Sequence, residues 1–200
     1  QNLPFFYGAL PFRATTVGVC TTSMEKSQRV ASEFQIAKAT ANEDELINDP
    51  AIDIIDICTP NIAHFETLKK AIRAGKHVLC EKPMALNSAQ CEEMLAVAKE
   101  TGKELMIGQC LRFSDSYRYV KKCIDEGTFG KLENLNMYRL SAHPEWGFEN
   151  WFQNDEKSGG CILDMHIHDI DMARYLLGEP ESVSVTAFNG QTRWQMENTR

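Results

Sequence analysis

The sequence predicts an α/β fold in which a doubly wound parallel sheet is followed by a second α/β segment with a mostly antiparallel open sheet. Three observations carry this. Apolar, β-branched runs alternate with amphipathic stretches four times between Thr15 and Cys110, the pattern of parallel strands joined by right-handed helical crossovers. Side chains or glycines that cap helices sit at the ends of the amphipathic stretches. Beyond Arg112 the pattern changes to longer runs with one apolar and one polar face. The boundary is therefore drawn there, with residues 1–112 as one domain and 113–200 as the start of the next.

Thr15 to Cys20 reads as a short buried strand, and Ser23 caps the helix after it, with Val30 and Phe34 on one face. Asn42 and Glu45 make a capping-box pattern for a short helix that stops at Asp49-Pro50. Ile52 to Cys58 is strongly β-branched and ends at Thr59-Pro60-Asn61. His64 to Ala74 follows as a helix with Phe65, Leu68 and Ile72 inward, and Gly75 stands where a C-terminal cap belongs. His77 to Glu81 is the third strand. Asn87 caps the next helix, with Met94, Leu95 and Ala98 inward and Gly102 at its end. Leu105 to Cys110 is the fourth strand. In the second segment Ser114 caps a helix carrying Tyr117, Val120 and Ile124, stopped by Gly127. Lys131 to Leu140 and Glu181 to Phe188 alternate as strands. A long aromatic connection with Trp146, Phe148, Trp151 and Phe152 precedes a helix from Ser158 to Leu177.

Composition narrows the function classes. Of 200 residues, 43% are apolar and 24% charged, enough to bury a core. A net charge of −7 with no basic run argues against a nucleic-acid or anionic-membrane surface. No apolar stretch has membrane-spanning length. Gln1 to Leu10 lacks basic residues and is a poor signal peptide. The seven cysteines form no C-x-x-C pair, so they read as reduced thiols of a cytoplasmic protein and supply no zinc site.

Two stretches carry chemistry. In His77 to Ala85 an apolar run ends in Glu81 and Lys82, and Pro83 holds Lys82 extended. That sets an ammonium group at the carboxyl end of a strand, the edge where open α/β sheets bind ligands. The alternative is a solvated lysine in a turn. The second stretch, Gly159 to Asp171, places Asp164, His166, His168, Asp169 and Asp171 within eight residues. As a loop, His-x-His-Asp has the look of a metallohydrolase ligand set. As a helix, Asp164 and His168 share a face, and an apolar stripe of Leu163, Ile167, Ile170, Ala173 and Leu177 favours that reading. An aspartate one turn before a histidine can orient the imidazole and raise its basicity, as a general base requires. Equally, the two can simply pair at a domain interface. No metal is assigned, and His166 reads as structural.

Ala-Gly-Lys-His-Val-Leu-Cys-Glu-Lys-Pro, followed about eighty residues on by Gly-Gly and Asp-x-x-x-His, resembles the Gfo/Idh/MocA family of NAD(P)-dependent oxidoreductases over nearly the whole chain. The resemblance implies a Rossmann-type domain followed by an α/β domain with a large open sheet, often used for oligomerisation. It implies catalytic roles for Lys82, which hydrogen-bonds the reacting hydroxyl, for His168 as acid/base, and for Asp164 as its orienting partner. It implies cofactor contacts from Thr59, Pro60, Asn61 and His64 in a Thr-Pro-x-x-x-His turn, and from Glu81, Lys82 and Arg112. Cys110 stands where many relatives have asparagine, which leaves the parts of Gln109 and Arg112 open.

Against that family the sequence reads as a fragment with an incomplete, truncated architecture, because no opening strand and glycine-rich phosphate turn are seen. Thr21-Thr22 falls where relatives often carry an acidic residue that binds the ribose 2′-hydroxyl. A threonine there removes a carboxylate that would repel a 2′-phosphate, so the cofactor expectation is NADP or NAD with a lean to NADP. The expected activity is hydride transfer between a nicotinamide cofactor and a sugar, polyol or related alcohol. The alternatives are an NAD-dependent glycoside hydrolase and a non-catalytic dinucleotide or sugar sensor. The expected partners are a small sugar or polyol substrate and a second copy of the chain, with no nucleic acid and no membrane.

Overall fold

The structure, a computed structural model, describes residues 14–140 and 148–186. Strand β1 (Gly18–Cys20) pairs in parallel with β2 (Lys38–Thr40), and β3 (Ile54–Ile57), β4 (His77–Glu81) and β5 (Leu105–Gly108) form a second parallel sheet in that order. Helices wind between them: α1 (Met24–Phe34), α2 (Asp44–Ile47), α3 (Asn61–Arg73) and α4 (Ser88–Thr101). This is the Rossmann-like α/β arrangement. Among the described residues the two sheets share no ladder.

Strand β2 has no counterpart in the sequence reading. It is a three-residue run, Lys-Ala-Thr, without an apolar pattern. Its contacts make it a strand: Lys38 N–H donates to Val17 O at 3.2 Å, and the buried Ser27 hydroxyl donates to Thr40 O at 2.6 Å. The capping residues behave as expected at two helices. Ser23 accepts from Lys26 N and Asn87 accepts from Gln90 N, and Gly102 closes α4 in the left-handed conformation. Helix α3 begins three residues earlier than expected, at Asn61, directly after Pro60.

The core lies where α3 and α4 cover the three-stranded sheet. Leu68, Ile72 and Met94 are fully buried against Ile57, Val78 and Cys80. Leu95, expected inward, is 57% exposed. Successive helical residues point about 100° apart, so Met94 and Leu95 cannot share a face; Val97 completes the buried one. Lys76 is also buried, and its ammonium donates to Asp49 O at 2.6 Å and Ile52 O at 2.5 Å, tying the turn before β4 to the turn before β3.

After β5 a 3₁₀ turn (Cys110–Phe113) leads into α5 (Asp115–Asp125). Neither 131–140 nor 181–186 is a strand, contrary to the alternation expected there; residues 187 and 188 lie outside the described part. A strand exists only when its backbone groups find a ladder partner, and Leu140 is 94% exposed. Ser114 makes no side-chain cap on α5. Residues 141–147 of the aromatic connection, with Trp146, lie outside the described residues. Trp151 and Phe152 stack at 3.9 Å between ring centroids.

The single helix expected from Ser158 to Leu177 is two, α7 (Gly160–Asp164) and α8 (Ile167–Leu177), preceded by a short α6 (Asp155–Ser158) that ends at Ser158. Gly159 takes φ +81, and a Cβ there would collide with the Leu163 side chain. Helix α8 packs on the 3₁₀ turn and α5 and buries Met172 and Leu176, whereas Ile170 and Leu177 of the expected stripe are exposed. Both sets of residues recur at helical spacing, so periodicity alone does not choose between them.

Leu68 tests whether this core carries the stability. Leu68→Ala is expected to lower the unfolding free energy by about 3 kcal/mol, seen as a lower urea midpoint with an unchanged slope. A loss below about 1 kcal/mol would place the principal core elsewhere.

Candidate active site

Because β3, β4 and β5 run parallel, their carboxyl ends open on one edge. There the chain presents Thr59, Pro60 and Asn61 after β3, Glu81 and Lys82 at the end of β4, and Gln109 after β5. Ile57 is level with Cys80, and Glu81 with Gly108.

Lys82 reaches across to the second half of the chain. Its ammonium donates to the main-chain oxygen of Asp164 at 2.7 Å and to Asp164 Oδ1 at 3.2 Å. Asp164 is the last residue of α7 and is buried. Two predicted residues, 82 positions apart, therefore meet in one contact. The expected partnership of Asp164 with His168 takes another form. The Asp164 carboxylate is held by Lys82 and by Asn61 Nδ2 at 3.1 Å, and His168 Nδ1 is buried without a hydrogen-bond partner. The break at Met165 and His166 between α7 and α8 is the cause, since one continuous helix would have stacked the two side chains.

His168 sits in a mixed field. Burial pushes its pKa below that of an ordinary histidine, and the Lys82 and Arg139 cations push the same way, while Asp169 and Asp164 oppose them. The imidazole is thereby biased to the neutral form, the one that accepts a proton. Arg139, which sequence reasoning missed, forms a bidentate pair with the buried Asp169 at 2.7 and 2.8 Å and holds that carboxyl below its usual range. His166 Nδ1 meets Asp169 Oδ2 at 3.1 Å, which fits the structural part assigned to His166.

Three expected cofactor ligands are otherwise engaged. His64 is fully buried, with Nδ1 facing Pro83 O at 2.8 Å and Nε2 facing Thr59 O at 2.9 Å. It braces the turns after β3 and β4 and has no nitrogen left for a ligand. Asn61 uses both amide hydrogens on Ser158 O (2.8 Å) and Asp164. Arg112 clasps Asp171 at 2.8 and 2.6 Å, with its guanidinium 5.3 Å from the Tyr175 ring centroid. Spacing locates such residues near an edge but does not say which way they turn. Thr21 spends its hydroxyl on Ser23 O and Ser27; Thr22 is exposed and accepts from Lys26 Nζ at 3.4 Å.

Thr59 and Glu81 remain available at the edge, beside Lys82, whose ammonium keeps one hydrogen beyond its two bonds to Asp164. Gln109 Oε1 is buried there with no partner, an acceptor suited to an amide hydrogen. This donor and acceptor set fits a nicotinamide ring and its ribose. Among the described residues no group of three or more His, Cys, Asp or Glu is poised to hold a metal, and no helix is long and apolar enough to cross a membrane.

Residues 7–109 match the oxidoreductase family with the NAD-binding Rossmann fold, and residues 117–199 match the GFO/IDH/MocA C-terminal domain. The chain belongs to the Gfo/Idh/MocA oxidoreductase family. It is 33% identical over 185 residues to the 1,5-anhydro-D-fructose reductase of Ensifer adhaerens, covering 91% of this chain and 55% of the relative. It is 36% identical to the inositol 2-dehydrogenase of Rhizobium meliloti, covering 87% of this chain and 50% of the relative. Among solved structures, levoglucosan dehydrogenase in complex with NADH and levoglucosan superposes with a TM-score of 0.75 at 30% identity, covering 88% of this chain and 49% of that one. The chain spans about half the length of the relatives it matches.

The field at His168 is directly testable. In Arg139→Gln one cation that disfavours the imidazolium is gone, and Asp169, which favours it, loses its partner. The His168 titration midpoint, followed by imidazole NMR, is expected to rise toward or above the ordinary histidine value. An unchanged midpoint would remove Arg139 from the account.

Proposed function

We propose that this chain carries the reaction centre of an NAD(P)-dependent oxidoreductase, a dehydrogenase or reductase acting on the CH–OH group of a sugar, polyol or related alcohol. The observation that supports it most is the Lys82–Asp164 contact, which sets an ammonium group beside a neutral-biased His168 at the ligand-binding edge of a parallel sheet. The names of the relatives point to the same substrate class.

In this reading His168 accepts the hydroxyl proton, because an alcohol releases hydride readily only as its proton departs. Lys82 stabilises the developing alkoxide. Asp164 orients Lys82 through its main-chain oxygen and its carboxylate. Thr59, Pro60, Glu81 and Lys82 hold the nicotinamide end, with Gln109 added as an acceptor. The nicotinamide, when bound, supplies the hydride acceptor. The division into residues 1–112 and 113–200 assigns the cofactor edge to the first part and His168 to the second.

Thr21 in place of an acidic residue favours NADP over NAD. All seven cysteines are free thiols, which supports a reducing, cytoplasmic setting. Assembly into a homo-oligomer is carried over from the resemblance. One relative is named 2,7-anhydro-N-acetylneuraminate hydratase, and adding water leaves no net oxidation. A second reading is therefore a reaction without net change in the cofactor, recognised by product formation at constant nicotinamide absorbance.

Lys82→Ala and His168→Ala are each expected to lower kcat by at least about 100-fold; nucleotide affinity, measured by calorimetry, stays near the parental value in His168→Ala and falls only modestly in Lys82→Ala. Parental turnover in His168→Ala on the true substrate would sink the assignment. Because burial and two cations depress the His168 pKa, the acid limb of kcat/KM in the oxidising direction should fall below the pH of an ordinary histidine. For the cofactor, tighter binding of NADP than of NAD is expected in a direct titration, and a clear NAD preference would remove the lean.

A further inference from the structure

We propose that Asn61 is a positioning residue of this centre: its amide fixes the Asp164 carboxylate toward Lys82 and anchors the turn that presents Asp164. The proposal deepens the functional reading above and rests on it for the meaning of Lys82.

Asn61 is the first residue of α3, after Pro60, where a polar side chain would be expected to serve its own helix end. The cap position itself is Pro60, which has no polar side chain to bond the helix end. Asn61 Nδ2 instead crosses to the second half of the chain and donates to Ser158 O at 2.8 Å and Asp164 Oδ1 at 3.1 Å. Asn61, Ser158 and Asp164 are 3%, 0% and 6% exposed, so water does not substitute for these bonds.

Lys82 Nζ approaches the same Oδ1 at 3.2 Å. One carboxylate oxygen thus receives two donors from two neighbouring strand ends, and rotating it would strand the Asn61 donor in a dry site. The second amide hydrogen holds Ser158 O, directly before Gly159, whose turn launches α7 and carries Asp164. Asn61 therefore fixes both the rotamer of Asp164 and the backbone beneath it. It also commits that carboxylate to Lys82 and away from His168, whose Nδ1 has no partner. The groups that bear on His168 are Lys82 from the end of β4, Arg139 from the 131–140 segment, Asp164 from α7 and Asp169 on its own helix. Arg112, on the 3₁₀ turn against α8, is occupied by Asp171.

Two substitutions in the holoenzyme test this. Asn61→Leu keeps similar bulk and removes both donors. It is expected to lower kcat by about 10- to 100-fold with nucleotide affinity unchanged; parental kcat in a folded Asn61→Leu protein would overturn the proposal.

Asn61→Asp keeps the shape but faces one carboxyl with another, so the pair should titrate with one step raised well above the usual carboxylate range. Protonated, the introduced carboxyl donates to Asp164 and restores the contact; ionised, it repels. The kcat profile should then gain an alkaline limb that the parent lacks, a change that a merely structural residue would not produce. Carbon-13 NMR of labelled aspartate carboxyls reads the same titration without turnover. An ordinary carboxylate titration in Asn61→Asp would overturn the proposal even if Asn61→Leu fails to fold. If the parent turned over no sugar or polyol, the functional reading would fall while the NMR titration still decided where Asn61 points.

Discussion

A buried carboxylate must be surrounded by donors, and Asp164 imposes that requirement where the two halves of the chain meet. Leaving it ionised and unpaired in a dry site would cost several kcal/mol, a large fraction of a domain's stability. The donors come from the ends of two adjacent parallel strands: Asn61 after β3 and Lys82 after β4. Parallel pairing is what makes this possible, because it delivers both strand ends to the same side of the sheet. His64 then braces the two turns through Thr59 O and Pro83 O, so the donors do not drift apart. The arrangement of the edge follows from satisfying one acidic residue.

The same solution recurs twice more along the segment. Asp169 and Asp171 are also buried, and each receives a bidentate guanidinium, from Arg139 and Arg112 respectively. Ion pairs of this kind contribute little net stability, since desolvation offsets attraction. Their forked geometry does restrict orientation. Three carboxylates within eight residues, each held by a cation from elsewhere, fix α7 and α8 in azimuth as well as position. His168 inherits that fixity without taking part in any of the pairs.

Much of the fold was legible because its signals are local. Ser23, Asn87 and Gly102 act through bonds within a few residues, and Leu68 and Ile72 follow a helical period that burial honours. Strand β2 was not legible, since Lys38–Thr40 is a strand by virtue of its parallel ladder with β1 and its contacts with Val17 and Ser27. Among the described residues the strands expected at 131–140 and 181–186 are not formed, for the converse reason: alternation marks a willing strand, and pairing must come from a partner. At the site, Lys82 and Asp164 were identified by residue type and order, and the structure brings them together. Their geometry was not available from sequence, because a turn at Gly159 and a break at Met165 and His166 rotate Asp164 off the face of His168. Arg139 had no signal at all; a lone arginine in an alternating run reads as a solvated face until its carboxylate partner is seen.

The separation of Asp164 from His168 bears on how a base works here. A carboxylate bonded to an imidazole stabilises the imidazolium and raises its pKa, which helps a group that must hold a proton. A group that must first be empty is better served by the opposite field. Here burial and two cations keep His168 biased to the neutral form, while the Asp164 carboxylate is occupied by Lys82 and Asn61. The ammonium discourages a proton on the imidazole, and on the proposed function the same charge would favour negative charge on an oxygen as its proton leaves. The Lys82 contribution depends on where Asp164 holds the ammonium, through its main-chain oxygen and its carboxylate, so that one contact positions the lysine for both.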